Sequence, residues 1–290
     1  MIRASEEVCP EDLYSFHAVI LQRAVSERSL ALLAAARREG CKTVYDADDN
    51  LLLIDQMSDD PNTPWRIYFG EARERIARLL SGVDQVKVYS SSAVPFFVPH
   101  NRNVVPIRPF HLVPEGDPIP GGGARPVRVG FFGSYYKDAE FEPLVPVIRE
   151  LIEGDYPLAF EFFGFCPEAL ADDPRVTRLA WEPDYGQFRA RLLERRWEIG
   201  LAPLRETDFN RCKTNIKYRE YAASGIAGIY SRAEIYRTSV EDRRTGLLVP
   251  QESSAAWREA ILELAENPML RRWLARNALA DLRANYRREE

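Results

Sequence analysis

Residues 197–225 constrain the fold more than any other part of the chain. This stretch begins with an apolar run, WEIGLAPL, which is followed by a polar loop over residues 205–215 and then by a helical pattern. A short apolar run followed by a loop and a helix is typical of a strand in a parallel α/β sheet. Because open α/β sheets bind ligands outside the carboxyl ends of their strands, this loop is a candidate binding segment.

The same alternation of strand and helix patterns recurs along the chain. Strands are predicted at residues 16–22, 42–45, 85–89, 127–132, 158–163, 176–179, 197–204 and 226–231. Helices are predicted at residues 26–39, 65–81, 141–153 and 185–195, with two more within 255–286. Prolines and a GGG run interrupt the pattern between residues 99 and 126, which indicates a linker. We therefore predict two Rossmann-like α/β domains, at 1–120 and 121–270.

Composition bounds the class of protein. A chain of 290 residues with 46% hydrophobic content can bury two modest cores. A formal net charge of −5 leaves no basic excess for a predominantly electrostatic nucleic-acid binder. The longest apolar runs are too short to span a bilayer, and no signal-peptide layout begins the chain, so we expect a cytoplasmic protein. The four cysteines are scattered singly and predict reduced thiols.

Phosphate-binding chemistry is concentrated around the start of the helix predicted after residue 215. Lys213, Thr214 and Asn215 would meet its amino end, where backbone N–H groups and the helix dipole favour an anionic diphosphate. Lys217 follows one turn on, and Glu220 comes next on the same face, where its carboxylate could accept hydrogen bonds from a ribose diol. An ordinary amphipathic helix with a solvated lysine pair is the alternative interpretation.

The stretch FNRCKTNIKYREYAASG also carries a family motif, approximately F-N-x-x-K-S-x-x-K-x-x-E-Y. The matching residues are Phe209, Asn210, Lys213, Lys217, Glu220 and Tyr221, and Thr214 stands where serine is usual. The segment resembles the nucleotide-sugar site of retaining, bacterial glycosyltransferases with the two-domain GT-B fold, of the kind grouped as family 4 or group 1. The resemblance covers residues 127–286 well and residues 16–109 more weakly.

The resemblance implies an overall organisation and a reaction. In a GT-B fold the first domain faces the acceptor and the second domain binds the donor. The resemblance implies that the first domain of this chain is shortened and that its last helix, 271–290, crosses back to the first domain. The implied activity moves a sugar from a UDP- or GDP-sugar to an unknown glycan, lipid or small-molecule acceptor. The resemblance also implies that the sugar is transferred with retention of configuration and that the reaction needs neither a metal nor another cofactor. Peripheral contact with the inner membrane and homo-oligomerisation remain open.

Individual site residues follow from the same resemblance. The loop that carries Gly133, Ser134 and Lys137 is implied to approach the donor phosphates, and Tyr236 to line the donor pocket. Asn210 joins them through the motif. The implied catalytic role of Lys213 is to stabilise the charge that develops on the leaving phosphate. Two alternatives stay open, a solvent-facing side chain for Lys137 and a packing role for Tyr236.

The acidic stretch YDADD permits several interpretations. In the preferred one, Asp46, Asp48 or Asp49 holds acceptor hydroxyls or orients the reacting pair, and we assign Asp48 and Asp49 as catalytic candidates. A D-x-D sequence also resembles the motif of metal-dependent transferases. In a haloacid-dehalogenase-like phosphatase, Asp46 would be the nucleophile and Asp48 the acid/base. An aspartate run that caps the next segment is the structural alternative.

One departure from the family pattern favours a function without catalysis. Cys212 occupies the position where many relatives carry a glutamate near the transferred sugar, and it could serve instead as a small apolar filler. A non-catalytic nucleotide-sugar binder, a scaffold, or half of a two-chain transferase is therefore an alternative. Of the three histidines, His100 and His111 lie in the predicted linker and receive no role.

Overall fold

The computed structural model describes residues 7–57, 62–118, 126–134 and 137–287. They form two compact units. The first unit holds the described residues up to Pro109 together with Thr207–Thr214, and the second holds Phe110–Glu206 and the residues from Asn215 onward. Each unit has one wholly parallel sheet, so the predicted α/β class with two parallel sheets is confirmed. The predicted domain ranges and the return of the last helix stay predictions.

The described elements alternate as the sequence predicts. The strands are β1 Ala18–Gln22, β2 Lys42–Ala47, β3 Gln85–Val88, β4 Val104–Pro106, β5 Val127–Gly133, β6 Leu158–Gly164, β7 Val176–Leu179, β8 Ile199–Ala202, β9 Ala227–Ser231 and β10 Leu247–Val249. The helices are α1 Glu27–Arg38, α2 Pro64–Gly82, α3 Val94–Phe97, α4 Asp138–Phe141, α5 Val145–Glu153, α6 Tyr185–Arg195, α7 Asp208–Arg211, α8 Ile216–Ala223, α9 Glu234–Arg237, α10 Ser254–Glu266 and α11 Pro268–Asn285. Short 3-10 turns lie at Pro10–Ser15, Leu51–Met57, Ser91–Ala93 and Glu168–Leu170.

The first unit has the strand order β1-β2-β3-β4. Ser26 caps α1 by accepting a hydrogen bond from the Ser29 backbone N–H, and Gly40, with φ +73°, allows the chain to turn after that helix. Phe209, on α7, and Cys212, just after α7, are both buried in the apolar core of this unit. A segment distant in sequence therefore completes the core of the first unit.

The second unit has the strand order β10-β9-β8-β5-β6-β7. The chain runs outward from β5 to β7 on one side and then from β8 to β10 on the other, so the order reverses between β5 and β8. In open parallel sheets the crevice at the carboxyl ends of two such strands is the usual place for a ligand. The segments that follow β5 and β8 are the Gly133 turn and the polypeptide leading to α8.

Packing against Trp197 explains the glycine in the middle of β5. A Cβ atom on Gly130 would lie 1.9 Å from the Trp197 ring, so only glycine leaves room for this fully buried indole. The Trp197 Nε1 donates a hydrogen bond of 2.8 Å to Glu161 on β6.

Two predicted elements differ in their details. The helix predicted over residues 141–153 is divided into α4 and α5, with Pro143 in the break and Pro146 in the first turn of α5, because proline lacks the N–H that a helix interior needs. The predicted linker contains the short strand β4, which pairs with β3. No helix within the described ranges is both long and apolar enough to cross a lipid bilayer.

Candidate functional site

The predicted site residues fall into two sets, one in each unit. Those in the first unit are Asp48, Asp49, Asn210, Lys213 and Thr214. Those in the second unit are Gly133, Ser134, Lys137, Asn215, Lys217, Glu220 and Tyr236.

Lys213 and Asp49 form an ion pair in the first unit, with 2.9 Å between Nζ and Oδ1. Arg23 binds both acidic residues of the neighbouring stretch, at 2.9 Å from Asp48 and 3.0 Å from Asp49. The Lys213 ammonium also lies 4.3 Å from the centre of the Phe209 ring. Because α8 begins at Ile216, Lys213 lies in the turn that precedes this helix, and its charge is shared with a carboxylate of the first unit.

Asp46, the penultimate residue of β2, has two carboxylate oxygens in different surroundings. Its Oδ2 accepts hydrogen bonds from the Lys87 ammonium at 3.2 Å and from the Tyr89 hydroxyl at 3.1 Å. Its Oδ1 is buried and has no hydrogen-bond partner among the residues that the structure describes. Among the described residues, no group of three or more His, Cys, Asp or Glu side chains is placed to hold a metal ion.

Cys212 lies in the core of the first unit. Its Sγ is 3.7 Å from the Asn50 amide nitrogen, and burial raises the pKa of its thiol to about 12. Its apolar surroundings include Phe209, and no charged group is its hydrogen-bond partner here. The structure thus gives Cys212 the small apolar filler role that the sequence suggested.

We expect Cys212 to resist a thiol reagent at mildly alkaline pH until the protein unfolds, because the reactive thiolate is absent and the sulfur is enclosed. The exposed Cys9 should react quickly. Labelling with a chromogenic disulfide, followed by peptide mapping, measures both rates. In a variant with Cys9 and Cys166 changed to serine, only Cys41 and Cys212 remain, and peptide mapping tells them apart. Rapid labelling of Cys212 in this folded variant would contradict the burial described.

In the second unit, Lys217 lies beside the carboxyl end of β5. Its ammonium is 5.0 Å from the centre of the Phe131 ring and 5.3 Å from that of Phe132. Gly133 ends this strand, and a Cβ there would lie 2.8 Å from the Phe131 ring. The following Ser134 is exposed. The Gly133 turn and Lys217 therefore lie at the reversal point of the strand order.

The other charged candidate of this loop is held within the protein fold. Lys137 is buried, and its Nζ lies 3.8 Å from the Glu140 carboxylate at the start of α4. The alternative of a solvent-facing Lys137 is therefore wrong. A role for Lys137 at the donor phosphates stays a prediction.

Asn215 and Tyr236 have structural partners. The Asn215 amide donates to Ser239 Oγ at 2.9 Å and to the Tyr286 hydroxyl at 2.8 Å, while its oxygen accepts from Arg219 at 3.0 Å. Tyr236 lies in α9 rather than in a loop and is buried, with its ring centre 5.0 Å from that of Tyr230. The packing alternative accounts for Tyr236, and a donor-pocket role for it stays a prediction.

Glu220, on α8, is fully enclosed by side chains of the second unit. The Tyr185 hydroxyl donates a hydrogen bond of 2.7 Å to its Oε1. Its Oε2 lies 3.6 Å from His111 Nε2 and 3.9 Å from Arg189 Nε. Within the described ranges, this oxygen has no hydrogen-bond partner. Burial raises the pKa of the Glu220 carboxyl, although Tyr185 and the arginines act in the opposite direction.

His111 next to Glu220 is neutral. Burial, together with Arg219 and Arg189, lowers the pKa of its imidazole to about 3. The approach of His111 to the carboxylate is therefore not an ion pair, and His111 Nε2 likewise lacks a hydrogen-bond partner. Sequence reasoning assigned no role to His111 or Tyr185, because neither lies in the motif and only tertiary structure brings them to Glu220.

Comparisons with known proteins identify the fold. No protein-family model matches the chain, and no curated protein matches it. A TarM variant from S. aureus, solved with fondaparinux, alpha-GlcNAc-glycerol and UDP, aligns at a TM-score of 0.65 and 12% identity over 89% of this chain and 50% of that one. HepE from Anabaena, solved with UDP and glucose, aligns at 0.68 and 14% identity over 96% of this chain and 76% of that one.

Sucrose-phosphate synthase from Thermosynechococcus elongatus is a further similar structure, with a TM-score of 0.65 and 14% identity over 90% of this chain and 67% of that one. The chain spans about half the length of TarM. These neighbours are GT-B glycosyltransferases, and the two parallel sheets described above match theirs. The chain therefore has the GT-B fold.

Proposed function

We propose that this protein transfers a sugar from a nucleotide-diphosphate sugar to an acceptor hydroxyl. One observation carries the proposal. The Gly133 turn and α8, with Lys217 and Glu220, follow strands β5 and β8 of the second unit's sheet, between which the strand order reverses. The fold likeness to HepE, which was solved with UDP and glucose, supports the same chemistry.

The diphosphate of the donor is proposed to lie against the first turn of α8. The backbone N–H groups of this turn and the Lys217 ammonium supply positive charge, and the exposed Ser134 hydroxyl can donate a hydrogen bond. Lys137, Asn210, Thr214, Asn215 and Tyr236 stay proposed donor-binding residues. Lys213, in the turn before α8, stays the proposed catalytic cation, and in the first unit its ammonium pairs with Asp49.

The proposed chemistry places charge where these groups can stabilise it. When the bond between the sugar C1 and the phosphate oxygen breaks, negative charge develops on the leaving diphosphate, and fixed cations and N–H dipoles lower this barrier. For transfer with retention, the leaving diphosphate itself accepts the acceptor's proton. This route requires neither a protein base nor a metal ion.

The acceptor is proposed to bind at the acidic end of β2. Asp46 offers a buried Oδ1 without a hydrogen-bond partner, and Asp48 and Asp49 extend the same acidic stretch. A carboxylate in such a position can accept a hydrogen bond from a sugar hydroxyl and orient it. A glycan, a lipid-linked sugar and a small hydroxylated molecule all fit this chemistry.

A non-catalytic nucleotide-sugar binder is the second candidate function. The observation that favours it is the burial of Cys212 in the core of the first unit, at the position where relatives carry a sugar-side glutamate. A thiol enclosed in this way does not bind sugar hydroxyls. Such a protein would bind the donor and release no nucleotide.

A donor panel tests the proposal. Purified protein is incubated with UDP-, GDP- and ADP-sugars, with and without a chelator, while nucleotide release and thermal stabilisation are measured. Stabilisation together with release in the presence of chelator supports metal-independent transfer, and stabilisation without release supports the binder. A protein that neither binds nor releases any nucleotide, but hydrolyses a phosphate ester with Mg²⁺, contradicts both and supports the phosphatase alternative.

Replacing Glu220 with glutamine is expected to weaken nucleotide binding about 10-fold to 100-fold, because hydrogen bonds to a charged carboxylate are stronger than those to a neutral amide. Isothermal titration with the nucleotide that stabilises the native protein measures the loss. Glu150→Gln, on the exposed surface of α5, is the control and should bind normally. Wild-type affinity in the Glu220 variant would exclude this carboxylate from the site.

A further inference from the structure

Three side chains cover the Glu220 carboxylate in the second unit, and they differ in how freely they can move. These are His111, Arg189 and Tyr185. His111 is fixed by a 2.7 Å hydrogen bond from its backbone N–H to the Tyr286 carbonyl, and its side chain is buried. Arg189 is also largely buried. Tyr185, by contrast, is 45% exposed and stands at the first position of α6. At that position no preceding helical turn restricts its side-chain rotation.

The hydrogen-bonding capacity of the Glu220 carboxylate is only partly used in this state. A carboxylate can accept from a vicinal diol with both oxygens. Among the described side chains, however, only the Tyr185 hydroxyl donates a hydrogen bond to Glu220, and it does so to Oε1. A buried acceptor without a partner costs free energy. Exchanging one tyrosine hydroxyl for the two hydroxyls of a diol would satisfy both oxygens at once.

We propose that the Tyr185 hydroxyl is a placeholder that a ribose diol displaces from Glu220 when a nucleoside diphosphate binds. This inference rests on the proposed function and concerns the regulation of the same site. In the free protein the hydrogen bond from Tyr185 to Glu220 closes the site and supplies the buried carboxylate with one hydrogen-bond donor. Binding breaks that bond, so the affinity for nucleotide is reduced by the free energy of the closed state.

The removal of the Tyr185 hydroxyl separates this role from a direct contact with the ligand. Tyr185→Phe keeps the ring, which stacks on Phe188 with 6.3 Å between ring centres, and deletes only the bond to Glu220. The variant is expected to bind UDP about tenfold more tightly than wild type, which corresponds to about 1.4 kcal/mol. With 2′,3′-dideoxyuridine diphosphate, which has no diol to place on Glu220, the gain should disappear.

The matched control is Tyr218→Phe on α8. Tyr218 donates a 2.6 Å hydrogen bond to Asp281, so the variant deletes a tyrosine–carboxylate bond of the same kind away from the Gly133 turn. It should lose thermal stability and keep the wild-type affinity for UDP. Affinities are measured by isothermal titration, and GDP and ADP replace UDP if wild type prefers either.

The outcomes distinguish the two claims. Wild type that binds none of UDP, GDP and ADP overturns the proposed function and this inference with it. Wild type that binds one of them, with Tyr185→Phe equal or weaker, or tighter by the same factor for the dideoxy ligand, overturns the inference alone. A crystal structure of wild type with the bound nucleotide gives a second measurement, since a retained Tyr185–Glu220 hydrogen bond would also overturn it.

Discussion

We expect Lys217→Met to lower the rate of the proposed sugar transfer by about two to three powers of ten, the loss that typically follows removal of one group that stabilises transition-state charge. Methionine keeps an unbranched side chain against the rings of Phe131 and Phe132 and removes only the ammonium. Steady-state nucleotide release measures the rate, and circular dichroism checks that the fold is retained. Because the charge develops on the leaving diphosphate, the loss should fall mainly on kcat rather than on KM.

Lys213→Met is the matched comparison. It removes the ammonium that pairs with Asp49 in the first unit, and a loss of similar size is expected if both lysines stabilise the charge on the leaving diphosphate. A larger loss in Lys213→Met than in Lys217→Met would show that the lysine first singled out in the sequence carries the diphosphate. A Lys217→Met rate within twofold of wild type would remove Lys217 from the proposed mechanism.

We expect Glu161→Ala to destabilise the second unit by about 3 kcal/mol, because it leaves a buried donor without its acceptor and breaks a partly buried ion pair. Glu161 accepts from Arg195 at 2.6 and 2.8 Å and from the fully buried Trp197 Nε1 at 2.8 Å. Urea unfolding followed by circular dichroism should show a midpoint lowered by about 1 M or more, given typical denaturant slopes.

Glu150→Ala is the control for this measurement. Glu150 also accepts from an arginine Nε at 2.6 Å, in this case Arg258, but the Glu150 carboxylate is exposed, whereas that of Glu161 is buried. Exposed ion pairs contribute little in water, so this variant should unfold at the wild-type midpoint within error. Equal destabilisation in the two variants would mean that burial is not what makes the Glu161 cluster important.

Much of the fold is predictable from the sequence, because the strands of a parallel sheet and the helices packed on it have characteristic apolar patterns. Strands β6, β7 and β9 and helices α1, α6 and α10 lie where those patterns predict them, within a few residues. Elements too short to develop a period were missed. Strand β4 has three residues, and α7 and α9 have four each, so tertiary contacts rather than local pattern determine them.

The candidate site was predictable only where a motif lies on one element. Lys217 and Glu220 are neighbours on α8, and helical spacing alone places them on one face. The enclosure of Glu220 depends on Tyr185, 35 residues away, and on His111, and no local pattern predicts such a meeting. The assignment of Lys213 to the first unit was missed for the same reason, since its partner Asp49 is 164 residues away.

The burial of Phe209 and Cys212 in the first unit has a consequence for biosynthesis. Domains usually fold in turn as they leave the ribosome, the amino-terminal one first. Here residues up to Pro109 emerge without two side chains that their interior requires, and residues 110–206 must be translated before those side chains arrive. We therefore expect the nascent amino-terminal half to stay protease-sensitive until translation has passed Thr214.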